Sequence, residues 1–182
     1  MNNKHIEECF NAEVLMSGKK FSWLKLLHRA IKCPDRRFYF WLRVCQLASC
    51  RKNYLINKLI RKIHRNLNRK YATDIALEAT IGPGLKIGHF TGVVIRADCI
   101  IGKNFTILQN TTIGAKHRNN IDNRKKIIIG DNVFIGANSC IIGNIEIGDN
   151  VTVGAMSFIN KDIAPNLTVY TEKKNTLRIT MP

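Results

Sequence analysis

His89 is the residue best suited to do chemistry in this chain. An imidazole titrates near neutrality and can take the proton from a hydroxyl as that oxygen attacks a carbonyl carbon. Asp74 stands upstream of it, and a carboxylate beside an imidazole can orient the ring and stabilise its protonated form. Metal chemistry has less to build on. The six cysteines (Cys9, Cys33, Cys45, Cys50, Cys99, Cys140) contain no C-x-x-C pair, so free thiols are expected rather than a zinc site or a disulfide scaffold. His5, His28 and His64 all precede Asp74. His89 and His117 alone lie beyond it, one short of a three-histidine zinc set.

Whether His89 and Asp74 can meet depends on the elements that hold them. From Ile75 onward the sequence repeats every six residues: Ile75, Ile81 and Ile87, then Ile95, Ile101, Ile107 and Ile113 after a two-residue slip, then Ile129, Ile135, Ile141, Ile147, Val153 and Ile159 beyond an insertion. All thirteen register positions are Ile or Val, and Gly follows directly at eight of them, where a sharp corner favours a residue without Cβ. Small residues (Ala79, Thr91, Thr111, Ser139, Ser157) recur four places on. A fixed short period marks a solenoid whose units bury their apolar positions only by stacking. Six residues make one short strand and one corner, and three units make a triangular coil of about 18 residues. The stretch from Asp74 to His89 is then close to one coil in length, which would set the two on adjacent layers. Read by themselves, His89 fits an ordinary surface group as well as a base, and Asp74 fits a cap at the start of the solenoid.

The charge sits elsewhere. The 182 residues carry 29 Lys+Arg against 13 Asp+Glu, a net +16; residues 1–73 hold 17 and 4 of these, so +13 belongs to the first part and +3 to the repeat half. That first part reads as helical, because Phe38, Trp41, Leu42, Cys45 and Ala48 form one 3.6-residue stripe and Ile56, Leu59, Ile60, Ile63 and Leu67 another. The basic helices fit a cap with a solvated face or a peripheral contact with an anionic membrane or glycan. No recognition motif points to nucleic acid. No apolar run approaches the roughly 18 to 20 residues that span a bilayer, and acids (Glu7, Glu8) stand where a signal peptide would be basic. The expected location is the cytoplasm, with contact at the inner membrane face as the use of the basic helices. The expected organisation is a basic helical region over 1–73, a solenoid over 74–164 with an inserted loop at 116–126, and a tail over 165–182.

The segments Ile87-Gly88-His89-Phe90-Thr91-Gly92, Ile107-Leu108-Gln109-Asn110-Thr111-Thr112-Ile113-Gly114, Ile135-Gly136-Ala137 and Ile141-Ile142-Gly143-Asn144 resemble the hexapeptide-repeat acyltransferases, and within them the serine acetyltransferase-like branch. The resemblance implies a mainly β fold, a left-handed parallel β-helix with the helical region as cap, assembling as a homotrimer. It implies acetyl transfer from acetyl-coenzyme A, a co-substrate rather than a permanently bound cofactor, to a hydroxyl. It makes His89 the general base and Asp74 its partner. It sets the coenzyme in a groove between subunits, against Gly114, Ala115, Gly136, Ala137, Gly154 and Ala155; Lys161 is a candidate coenzyme contact by its charge. Lys173 and Lys174 are candidate partners for the coenzyme phosphates as mobile cations, and Thr91, His117 and Arg124 are candidate acceptor contacts.

Two departures bear on the acceptor. The family's serine enzymes carry Asp directly before the catalytic His and an Arg-His pair in the inserted loop; here those places read Gly88 and Asn123-Arg124. Losing a charge-assisted partner costs on the order of 1.5 to 3 kcal/mol, roughly ten- to a hundredfold each. On that ground, and because the region 1–73 is short for the helical domain of those enzymes, serine is disfavoured. A short member of this branch with basic N-terminal helices resembles the O-acetyltransferases that decorate surface polysaccharides, and that resemblance implies a sugar hydroxyl of a bacterial capsule, exopolysaccharide or lipopolysaccharide as the acceptor. L-Serine, in cysteine biosynthesis, is the alternative.

Overall fold

The thirteen Ile and Val positions all fall in two- or three-residue strands of the computed structural model and are all buried, none more than 6% exposed. The structure describes residues 3–16, 21–49, 53–114 and 127–172. Each strand pairs in parallel with the strand one coil on, which yields three faces. The first holds β1 (Asp74–Ile75), β4 (Val94–Ile95), β7 (Thr112–Gly114), β10 (Cys140–Ile142) and β13 (Phe158–Ile159). The second holds β2 (Thr80–Ile81), β5 (Cys99–Ile101), β8 (Ile127–Ile129) and β11 (Glu146–Ile147). The third holds β3 (Lys86–Ile87), β6 (Thr106–Ile107), β9 (Phe134–Ile135), β12 (Thr152–Val153) and β14 (Thr168–Val169). Pairing runs past Pro165, where the sequence period breaks: Ile163 bridges Ile147 and Val169 pairs with Val153.

The corners are fixed by close backbone approach and by asparagine. A Cβ on Gly82 would stand 2.5 Å from the Gly102 carbonyl oxygen, so side chains are excluded where coils touch. On the edge between the second and third faces, Asn104, Asn132, Asn150 and Asn166 adopt left-handed φ of 54° to 64°, a conformation that asparagine tolerates. Their side chains form a ladder, with Asn104 donating to Asn132 at 2.9 Å, Asn132 to Asn150 at 3.0 Å and Asn150 to Asn166 at 2.8 Å.

The first coil has no coil beneath it, so its backbone groups need other partners. Helices α1 (Asn3–Phe10), α2 (Trp23–Lys32), α3 (Pro34–Ser49) and α4 (Tyr54–Tyr71), with a π-helical turn at Asn11–Leu15, supply them. Arg43 on α3 is fully buried and donates to the carbonyls of Ile81 (2.8 Å) and Gly82 (2.9 Å), to Gln46 Oε1 (3.1 Å) and, through Nε and Nη2, to both oxygens of Glu13. All five guanidinium N–H groups are thereby satisfied. Burial opposes the charge, but the Glu13 carboxylate more than offsets it and holds the Arg43 pKa above its usual value. Glu13 also accepts from the Leu85 amide at 3.0 Å, the Tyr39 hydroxyl accepts from the Ile87 amide at 2.9 Å, and Gln46 donates to the Ala79 carbonyl at 3.2 Å.

The helical stripes predicted from the sequence face this junction. Phe38, Leu42 and Cys45 are fully buried, and Ile60 and Leu67 nearly so, whereas Trp41 is 38% and Leu59 58% exposed. Arg43, which the sequence reading did not single out, is a core residue. Among the described residues no helix is long and apolar enough to cross a membrane.

Candidate active site

The two-residue slip in the repeat is His89-Phe90. The step from Ile75 to Ile95 is longer by those two residues than the step from Ile95 to Ile113, yet Ile75 pairs with Ile95 and Ile95 with Ile113 in unbroken register. The surplus is absorbed on the edge between the third and first faces. There Gly88 stacks under Leu108, since Ile87 pairs with Ile107. Thr91 stacks under Gln109, Ala137 and Ala155, as the amides of Asn110, Asn138 and Met156 bond the carbonyls of Thr91, Gln109 and Ala137 in turn. His89 and Phe90 have no counterparts in that column, so they bulge from it.

The two side chains of the bulge part ways. Phe90 packs into the cap, its ring centroid 4.7 Å from Phe38, 5.0 Å from Tyr71 and 6.1 Å from Tyr39. His89 is exposed. Asp74 starts β1 at the same edge: its amide bonds the Val93 carbonyl at 2.8 Å, and Gly92 bonds Ala72 at 2.8 Å, so the bulge closes directly over the helix-to-solenoid junction. Both His89 and Asp74 side chains are open to solvent, and no hydrogen bond joins them among the described residues.

The remaining sequence-predicted residues divide between two edges. Thr91, Gly136, Ala137, Gly154 and Ala155 share the His89 edge. Gly114 ends β7 and Lys161 follows β13, on the opposite margin of the first face, where the inserted loop departs. One chain does not bring the two sets together. Ala115, His117 and Arg124, with Lys173 and Lys174, lie outside the described residues.

Gly88, one of the departures, is not demanded by the backbone. A Cβ there would stand 2.4 Å from the Leu108 Cδ2 methyl and otherwise no closer than 3.9 Å to any atom; a flexible side chain occupies the space. Sequence reasoning missed Phe90 as the anchor of the bulge. The slip located the bulge, but Phe90's partners, Phe38, Tyr39 and Tyr71, belong to helices far upstream.

Comparison with known proteins gives the following. The bacterial transferase hexapeptide (six repeats) family matches residues 126–161. The chain is 43% identical over 106 residues to the chloroplastic serine acetyltransferase 1 of Arabidopsis thaliana, covering 58% of this chain and 33% of that protein. It is 36% identical over 98 residues to the serine acetyltransferase of Escherichia coli K12, covering 54% of this chain and 35% of that protein. Its fold superposes on soybean serine acetyltransferase complexed with serine at a TM-score of 0.76 and 27% identity, over 93% of this chain and 68% of that one. The chain thus spans about a third of the length of the curated relatives it matches. Its repeats over 126–161 are of the bacterial transferase hexapeptide kind, and its solenoid is the left-handed β-helix.

These likenesses overturn the expected polysaccharide sugar acceptor, because the relatives and the solved structure are serine acetyltransferases. Two single-residue departures weighed more in the sequence reading than the whole repeat half, although a ten- to hundredfold loss of affinity weakens a substrate without excluding it. The short helical region was no counterweight either. A superposition over 93% of this chain must take in most of the cap as well as the solenoid.

Proposed function

We propose that the chain is an acetyl-coenzyme A-dependent serine O-acetyltransferase with His89 as general base. The observation that carries this reading is the bulge: the one insertion on its edge of the solenoid presents an exposed imidazole beside Asp74, in a chain whose relatives acetylate serine by name. His89 takes the proton of the serine hydroxyl as the oxygen adds to the thioester carbonyl. The tetrahedral intermediate then expels the coenzyme thiolate, which receives that proton from the imidazolium, leaving the acetyl ester and free coenzyme A. Asp74 holds the ring and stabilises its charged form, a contact that closes when the substrates are bound.

The split of candidate residues between two edges supports a site assembled between copies of the chain, with the His89 edge of one subunit facing the Gly114 and Lys161 margin of the next in a trimer. Acetyl-coenzyme A is a co-substrate that enters this groove.

Release of free thiol from acetyl-coenzyme A in the presence of L-serine tests the reading. His89→Ala is expected to lower turnover by at least a thousandfold with the oligomer intact, and near-normal activity would overturn the assignment. Gly88→Asp, which needs only the Leu108 side chain to swing aside, is expected to lower the KM for serine ten- to a hundredfold by pairing its ammonium. An unchanged KM would mean that the ammonium is held elsewhere.

A further inference from the structure

A second concavity opens away from the His89 edge, where the cap meets the corner that follows β1. It is a cavity of about 430 Å³ between α4 and residues 76–78, lined by Lys58, Arg61, His64, Arg65, Leu77 and Glu78. The three long cations fall at i, i+3 and i+7, one stripe of the helix, and like charges so placed repel one another. A single acid answers them. Glu78 pairs with Arg61 at 3.4 Å, but the two side chains are 53% and 69% exposed, so solvent screens the pair. Three cations against one acid leave the lining at +2.

His64 forms the base of the cavity and is 8% exposed. Its ring interacts with the Ile75 backbone, while Nε2 is buried and has no hydrogen-bond partner. Burial, the largest influence, holds its pKa below the usual histidine value; the Ile75 backbone and the Glu78 and Asp74 carboxylates pull it up, and Arg61 pushes it down. The ring is therefore neutral at pH 7, with a polar nitrogen that nothing among the described residues satisfies. Buried polar atoms are normally paired, so an orphan facing a cationic concavity points to a ligand.

We propose that this cavity binds phosphate, either inorganic phosphate or the phosphoryl group of a small ester, through Lys58, Arg61 and Arg65 with His64 Nε2 as the partner at its base. An ionised carboxylate carries one negative charge and no donor; a phosphoryl group carries about −1.5 to −2 on average near pH 7 and, in its monoanion, a P–OH that a neutral imidazole nitrogen accepts. The monoanion donates its P–OH to the neutral Nε2, and the orphan nitrogen is satisfied.

Calorimetric titration of the full chain with inorganic phosphate and, separately, glycerol 3-phosphate, at matched ionic strength, tests the site, with the His64 ring resonances followed by NMR. Saturable binding that shifts those resonances is expected, and the tighter of the two ligands identifies the source of the phosphoryl group. Arg61→Gln and Arg65→Gln, both on the solvent side of α4, should each weaken binding about tenfold and together about a hundredfold, with the helical signal unchanged. Binding that survives the double substitution, or leaves His64 unmoved, would mean an adventitious ion only and overturn the proposal, as would no binding to the wild-type chain.

Discussion

Phe90→Ala separates the anchoring of the bulge from the chemistry at its tip. Phe90 is half-buried, and its ring meets Phe38, Tyr71 and Tyr39 at centroid distances of 4.7, 5.0 and 6.1 Å. Truncating a fully buried Phe costs roughly 3–5 kcal/mol, and aromatic pairs contribute about 0.5–1.5 kcal/mol each beyond their area. A half-buried ring with two close partners should therefore lose about 2–3 kcal/mol. In a chain of this size that lowers Tm by about 4–12 °C, read as a circular-dichroism melt at one fixed protein concentration. The larger effect falls on turnover. His89 is the next residue, and a displacement of about 1 Å can cost a hundredfold, so kcat for thiol release is expected to drop ten- to a hundredfold well below the melting range. KM for acetyl-coenzyme A should change little, and Phe90→Leu should recover most of both losses. If Tm falls as stated while kcat stays within twofold of wild type, the bulge holds His89 without its anchor and Phe90 has no part in positioning the base.

Two further outcomes follow from buried groups. Arg43→Ala leaves the buried Glu13 carboxylate without its counter-charge, with the Leu85 amide as its remaining donor, and leaves the Ile81 and Gly82 carbonyls without the guanidinium, so a loss of about 3–5 kcal/mol is expected in urea unfolding; a loss under about 1 kcal/mol, the scale of an exposed pair, would refute the cap assignment. Removing both charges, as in Glu13→Leu with Arg43→Met, should not restore stability, because the backbone of the first coil loses its partners in either case. Burial pushes the thiols of Cys9 and Cys99 up to about 12 and that of Cys45 to about 11. At pH 8 no more than about one in a thousand of each is then thiolate, the reactive form. Among the described cysteines, iodoacetamide at that pH should modify the half-buried Cys33 and Cys140 first, and early labelling of Cys99 on peptide mapping would contradict the packing.

The solenoid was legible because its cause is local and repeated: each Ile is buried by another Ile one coil away, so the same requirement recurs every six residues. The α3 stripe was legible for the same reason, with Phe38, Leu42 and Cys45 on one face. Arg43 was not. An arginine in a basic amphipathic helix looks like its solvated neighbours, and what fixes its place is Glu13, 30 residues earlier, together with carbonyls 38 and 39 residues later. The slip at His89-Phe90 was visible as a count, but its shape depends on rings from α3 and α4. The acceptor was misjudged at Gly88 because a missing carboxylate is apparent in a sequence, whereas the Leu108 methyl that fills its space is apparent only in the fold.

The unbroken register across the bulge has a consequence for how such a chain changes over generations. Two residues enter the edge between Ile87 and Val94, and a longer segment enters between Ile113 and Ile127, yet Ile75 still lies under Ile95 and Ile101 under Ile129. Core and corner are therefore separable in heredity: an insertion at a corner can be tried and discarded without a single compensating change among the buried isoleucines. The bulge that carries His89 and the longer insertion at another corner are two such insertions on one scaffold, so the edges can vary while the stack that carries them stays fixed.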